Sequence, residues 1–184
     1  MHKAKKLTSN ATFPSIDKLL ADRKLIERAS LRQNLPKGRH LYVTPAIGAL
    51  LDGEGASLGF PTPEALSITD RFMAGYLMVC SLTVETNPKR ARPDLERLVG
   101  MDEAWVMCFR RPRPGWRLFG RFIGQGRLVV LRAHDRHELK GQSVYEAKAA
   151  QMIRDWSALF DGENPLSGAN VEEYVGGVVN DVSK

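Results

Sequence analysis

The sequence predicts an α+β fold: a small antiparallel sheet flanked by helices, with a mainly helical N-terminal extension. Three features carry this expectation. Residues 104–110, 116–123 and 127–134 are apolar runs of strand length, AWVMCFR, WRLFGRFI and RLVVLRAH. The segments between them, Arg111-Pro112-Arg113-Pro114-Gly115 and Gly124-Gln125-Gly126, are short and turn-forming, so consecutive strands run antiparallel. Beyond them Tyr145, Ala149, Met152, Trp156 and Phe160 recur at helical spacing, an apolar stripe suited to cover the sheet.

The remaining elements follow in order. Ser15 opens a helix-like segment to about Leu35, with Ile16, Leu19, Leu20, Ile26 and Leu31 near helical spacing, and Pro36-Lys37-Gly38 breaks it. LYVTP, 41–45, reads as a short strand. DGEGASLGFPTP, 52–63, holds three Gly and two Pro and reads as a long loop or linker. Glu64 to Val79 reads as a helix, although its last part, YLMVCSLTV, fits a strand equally well. ETNPKRARPD, 85–94, is a basic connection punctuated by proline. DLERLVG, 94–100, reads as a short helix ended by Gly100. Ser143-Val144-Tyr145-Glu146 has the S-x-x-E spacing of a capping box, and Asp161-Gly162 ends the helix it starts. The expected division is an N-terminal helical extension and loop (1–62), an α+β domain (63–160) and a C-terminal tail (161–184).

Composition narrows the class. The 184 residues, 43% of them hydrophobic, suffice for a real core. No apolar run approaches the roughly 20 residues of a membrane helix, and no apolar core follows the basic start, so the chain reads as soluble and cytoplasmic. Cys80 and Cys108 sit in apolar runs and read as buried free thiols. The net charge of +6 is concentrated: residues 87–141 hold 13 Lys/Arg and 6 Asp/Glu. Arginine dominates that segment, and its planar fork suits phosphate, so a polyanionic partner is expected.

Alternation along the hairpin places Arg117, Phe119 and Arg121 on one face of their strand. Arg132 and His134 share a face of the next strand, so pairing can set guanidinium groups and an imidazole side by side. The turn Asp135-Arg136-His137-Glu138 adjoins them. Such a cluster can hold an anion, or its arginines can lie along the sheet and pair with Asp102, Glu103, Asp135 or Glu138. With four His and two Cys, and only His134 and His137 close together, a zinc site is not expected. The chain lacks G-x-G-x-x-G, a Walker loop and G-x-S-x-G, and no cofactor is expected.

The succession W-V-M-C-F-R, G-W-R-L-F-G-R-F-I, R-L-V-V-L-R-A-H-D-R-H-E-L and S-V-Y-E-A-K-A-A-Q-M-I, over about residues 95–160, resembles the RelE/ParE toxin superfamily and its RelE/HigB-like branch. The resemblance implies an RNA- or ribosome-directed toxin, a metal-independent endoribonuclease if catalytic, kept with an acidic antitoxin. It implies that Arg117 supports the scissile phosphate and that Arg136 binds phosphate or acts as the acid. Tyr145 would stack on a base or aid proton transfer, and His134 or His137 would move a proton. Arg110, Arg111, Arg113, Trp116, Arg121 and Arg132 would contact nucleic acid. The chain departs from the family pattern at Val106, Met107 and Cys108, where RelE-type nucleases often carry lysines or a glutamate, so the general base is not identified. Two other classes fit the same basic face. One is a non-catalytic ParE-like inhibitor or basic binding module, and the other an unrelated phage- or plasmid-borne assembly protein.

Overall fold

A computed structural model describes residues 14–30, 38–83 and 92–183. The fold is α+β, on one strongly curled, half-barrel sheet of eight strands. Its centre is the expected meander: β5 (Trp105–Phe109), β6 (Trp116–Gly124) and β7 (Arg127–Asp135), each antiparallel to the next. Every residue of β5 is buried, so the sheet is covered on both faces.

The sheet is larger than expected and it is mixed. Beside β7 lie β2 (His40–Val43), parallel to it, and then β1 (Ile26–Arg28), antiparallel to β2. Beside β5 lie β4 (Leu95–Arg97), antiparallel to it, and then β3 (Met78–Ser81) and β8 (Val179–Asp181), joined by parallel pairings. The stretches expected as an extension and a tail therefore both supply strands to this sheet.

Several expectations are corrected. The helix expected over 94–100 is β4: Leu95 is fully buried and the backbone pairs with β5, and this pairing overrides a weak local helix preference. The helix expected to reach Leu35 is α1 (Pro14–Ala21); Arg23 takes a positive φ of 55° and the chain turns into β1. The last part of that expectation, 31–37, and the basic stretch 85–91 lie outside the described residues. The helix expected to reach Val79 is α3 (Thr62–Met73), and the run after it is β3. The 52–63 stretch is folded, following α2 (Pro45–Ala49) through wide and tight helical turns. Phe60 there packs edge-on against Phe109 and Trp116. The capping box does not form: α4 (Gln142–Leu159) starts after Gly141 with no side-chain cap, and Glu146 accepts from Gln142 instead.

Two cores result. One lies between the sheet and α2, α3 and α5 (Val171–Val175), and contains Trp105, Met107, Trp116, Leu118, Phe122, Leu128 and Val130. The other lies between the sheet and α1 and α4, and contains Val106, Cys108, Phe119, Val129, Met152 and Trp156. The stripe expected on α4 faces this second core.

A bulge sets which side chains reach the second core. Phe119 pairs with Arg132 but Gly120 pairs with Val130, so Leu131 is the extra residue on β7. The bulge moves Arg132 and His134 to the face of Val129 and Leu131, away from Val130. Strict alternation places them with Val130 instead. Gly120 permits it, since a Cβ there would stand 2.1 Å from the Val129 carbonyl oxygen.

Arg39 is buried at 2% exposure and holds two helix ends together. Its guanidinium donates to the carbonyls of Phe72 and Tyr76 around the end of α3, and to those of Val175, Gly176 and Val178 around the end of α5.

Candidate functional site

On the α4 side the sheet opens into a cleft of about 590 Å³. Its walls come from four elements. β4 and the turn after it supply Glu96, Leu98 and Val99, and β6 supplies Arg117. The short helical turn 136–139 supplies Arg136 and Leu139. The start of α4 supplies Gln142, Tyr145 and Glu146. The strands set the inner wall because Arg117 lies opposite Cys108 on β5, while Glu96 lies opposite Val106, two residues along and on the same face.

Arg117 is fixed by its own backbone surroundings. Its Nη1 donates to the carbonyls of Phe109 and Trp116, each at 3.0 Å. Its Nε is buried and has no hydrogen-bond partner among the described residues. The Tyr145 hydroxyl is buried and unpartnered in the same sense. It lies close enough to the Arg117 guanidinium for the two groups to act on each other, Arg117 opposing the effect of burial, although no hydrogen bond of ordinary geometry joins them. Burial above all pushes the Tyr145 phenol up, with Cys108 and Glu96 adding to the effect, so it keeps its proton at neutral pH. Its ring rests against Phe119, and the Arg136 guanidinium lies over it at 5.9 Å. Arg136 also donates to the Leu139 carbonyl, and its backbone N–H donates to the Gly115 carbonyl at 3.0 Å. Burial pushes the Cys108 thiol up to about 12, which leaves it a poor nucleophile on the inner wall.

Of the five expected catalytic side chains, Arg117, Arg136 and Tyr145 meet in this cleft. The histidines stand outside its lining. His134 pairs across the strands with Arg117, but its ring packs edge-on against Phe119 and its Nδ1 lies 3.3 Å from Glu138. Its Nε2 is buried with no partner among the described residues, and burial holds the imidazole below its ordinary range. His134 lines a second cleft of about 450 Å³, with Lys24, Arg132 and Asp155. His137 is exposed, and Asp135 accepts its backbone N–H at 2.8 Å.

The expected nucleic-acid contacts divide likewise. Arg121 is buried at 2% exposure, donates to Asp102 and lies over the Trp156 ring. Arg132 pairs with Asp155. Arg110 donates to the Pro93 and Cys108 carbonyls. Trp116 is core, with its indole N–H donating to the Gly59 carbonyl at 3.0 Å. Arg111 and Arg113 are exposed on the 111–115 turn, which the Gly115–Arg136 bond ties to the edge of the cleft.

Sequence reasoning missed Glu96, Gln142 and Glu146. Glu96 was hidden by reading its segment as a helix. The signal that exposes it is alternation in Leu95-Glu96-Arg97, one residue into the core and the next out of it. Among the described residues no three His, Cys, Asp or Glu side chains group closely enough to hold a metal ion, and no helix is long and apolar enough to cross a membrane.

No family model, no curated protein and no solved structure matches the chain.

Proposed function

We propose that this protein is a RelE/HigB-like toxin relative that binds an RNA phosphodiester in the Glu96–Arg117–Arg136–Tyr145 cleft and cleaves it without a metal. One observation carries the reading. Two buried polar atoms, Arg117 Nε and Tyr145 Oη, form no hydrogen bond of ordinary geometry among the described residues, lie within reach of each other, and belong to residues that line one cleft with a second guanidinium. An unsatisfied buried polar group costs about 1–3 kcal/mol, so a site that keeps two of them is suited to a ligand that satisfies both. A phosphate oxygen accepts from guanidinium and phenol alike.

Metal-free cleavage needs a base for the 2′-OH, cations for the phosphorane charge and an acid for the leaving oxygen. Glu96, on the inner wall beside the Cys108 thiol, takes the 2′-OH proton, while Glu146 is engaged with Gln142. The 2′-oxygen then attacks phosphorus and the bond to the 5′-oxygen breaks. The products are a 2′,3′-cyclic phosphate and a 5′-hydroxyl. Arg117 and Arg136 face the charge that builds on the non-bridging oxygens. Tyr145, held protonated by burial, donates to the leaving oxygen. Glu96 thus takes the role of base that Val106, Met107 and Cys108 leave open.

The test is an RNA cleavage assay in excess chelator, on free RNA and on ribosome-bound message. Wild type is expected to give 2′,3′-cyclic ends and to leave a 2′-deoxy-substituted site intact. Glu96→Gln and Arg117→Ala should each slow cleavage about 100- to 1,000-fold, the loss typical of one such group. Intact RNA in both settings would sink the cleavage reading. Growth arrest on inducible expression, with intact RNA, would point to the non-catalytic inhibitor instead.

A further inference from the structure

Resting on that phosphate reading, we propose that the first turns of α4 make the cleft selective for guanosine, the base being read by Gln142 and Glu146. Gln142, Tyr145 and Glu146 stand at i, i+3 and i+4, on one face of the helix, and all three line the cleft. The two outer side chains are already joined, Gln142 Nε2 donating to Glu146 Oε1 at 2.8 Å. A carboxylate only accepts, so the amide nitrogen of Gln142 must face it. One amide hydrogen is used in this bond. The pair therefore presents the remaining amide hydrogen beside a carboxylate with free lone pairs.

That is a donor next to an acceptor pair, and it selects among the bases. The Watson–Crick edge of guanine carries an acceptor, O6, followed by two neighbouring donors, the N1–H and the 2-amino group. Glu146 can accept from both donors while Gln142 donates to O6. Adenine and cytosine each place a ring-nitrogen acceptor where guanine has N1–H, and it would face the carboxylate. Uracil has one donor between two acceptors. RNA-binding proteins commonly read splayed bases on this edge and stack them on arginine planes. Tyr145 is not free to stack, since its ring is held between Phe119 and Arg136. The outer plane of Arg136 and the side chain of Val99, which is 62% exposed at the cleft, are the surfaces left for the base.

The experiment is calorimetric titration of the full chain with the 3′-monophosphates of guanosine, inosine and adenosine, with inorganic phosphate as baseline. Inosine keeps the N1–H and lacks the 2-amino group. The expected order is guanosine, inosine, adenosine, with guanosine ahead of adenosine by about 10-fold or more, as for a good bidentate base contact. Glu146→Gln, on an exposed side chain, should bring guanosine and adenosine to within about 2-fold of each other. Arg117→Ala should weaken all three nucleotides alike. Equal binding of guanosine and adenosine, or a preference for adenosine, with Arg117→Ala still abolishing it, would overturn the base assignment and leave the phosphate reading standing. If neither the nucleotides nor phosphate binds, both fall.

Discussion

The two faces of the sheet share three strands and are filled in different ways. Toward α2, α3 and α5, β5 to β7 present mainly apolar side chains, Trp105, Phe122 and Val130 among them, with Asp135 at the end of β7 opposite Trp116. Toward α4 the same strands set Arg117, Arg121, Arg132 and His134 among Cys108, Phe119 and Val129. A dry face needs only shape. A face holding guanidinium groups must answer each one. Arg121 is answered by Asp102 and Trp156, although its Nε has no partner among the described residues, and Arg132 by Asp155. Arg117 is answered in part, by two carbonyls, and it lines the cleft where the answers run out. Incomplete pairing is shared by Arg121 Nε and His134 Nε2, so the cleft is set where such pairing coincides with an opening that a second guanidinium, Arg136, also lines.

The comparison can be sharpened by substitution, and the dry face should give the largest effect. Phe122→Ala removes a fully buried ring packed on Trp105 and Tyr174, and should destabilise the fold by about 3–5 kcal/mol in urea unfolding. A loss below about 1 kcal/mol would mean that this face is not packed as a core. Gly120→Ala is next. The added methyl meets the Val129 carbonyl, so the bulge must shift, at about 1–3 kcal/mol, and Arg132 and His134 must move with it. An unchanged urea midpoint and unchanged His134 imidazole resonances would show that the bulge does not hold the polar face in place.

A smaller effect is expected from acid. The folded-state pKa of His134 lies below its unfolded value, chiefly through burial, with Lys148 and Arg132 acting in the same direction and Glu138 opposing. The unfolded chain therefore takes up the proton first. His134 leaves stability intact above about pH 6.5 and lowers it as pH falls from there toward the folded pKa. The urea midpoint should drop more for wild type than for His134→Gln between about pH 7.5 and about pH 5.5. Equal drops would remove His134 as the cause. The smallest effect is expected at Arg132–Asp155. Both side chains are about a third exposed, so a double-mutant cycle should give at most about 1 kcal/mol, shrinking with salt.

The meander and α4 were legible because their signals are local. Three apolar runs, two tight turns and one helical stripe each lie within a few residues. β2 was legible as the apolar run 41–45 and β3 as one of two readings of its segment, but β1, β4 and β8 were not, because three residues are too few for alternation to stand out from its surroundings. They exist because a neighbouring strand offers them partners. The site divided the same way. Arg117, Arg136 and Tyr145 were visible as residue types on recognisable elements. Glu96 became visible only with β4, and the separation of His134 from the cleft depends on the Leu131 bulge and on Phe119, neither of which leaves a mark in composition.

The Arg39 clamp bears on the order in which the chain can assemble. Its acceptors lie 33 and 37 residues away around the end of α3, but 136 to 139 residues away around the end of α5. Through most of synthesis this guanidinium is made long before the carbonyls at 175–178 have left the ribosome. Until they arrive, burying Arg39 would strand a charged donor group. The edge formed by β3 and β8 is therefore the last to close, and the entropy of closing a loop of 136 to 139 residues must be met before that contact contributes. A nascent or truncated chain ending before Val171 would keep the half-barrel open on that side, with the β3 edge free to pair with other chains.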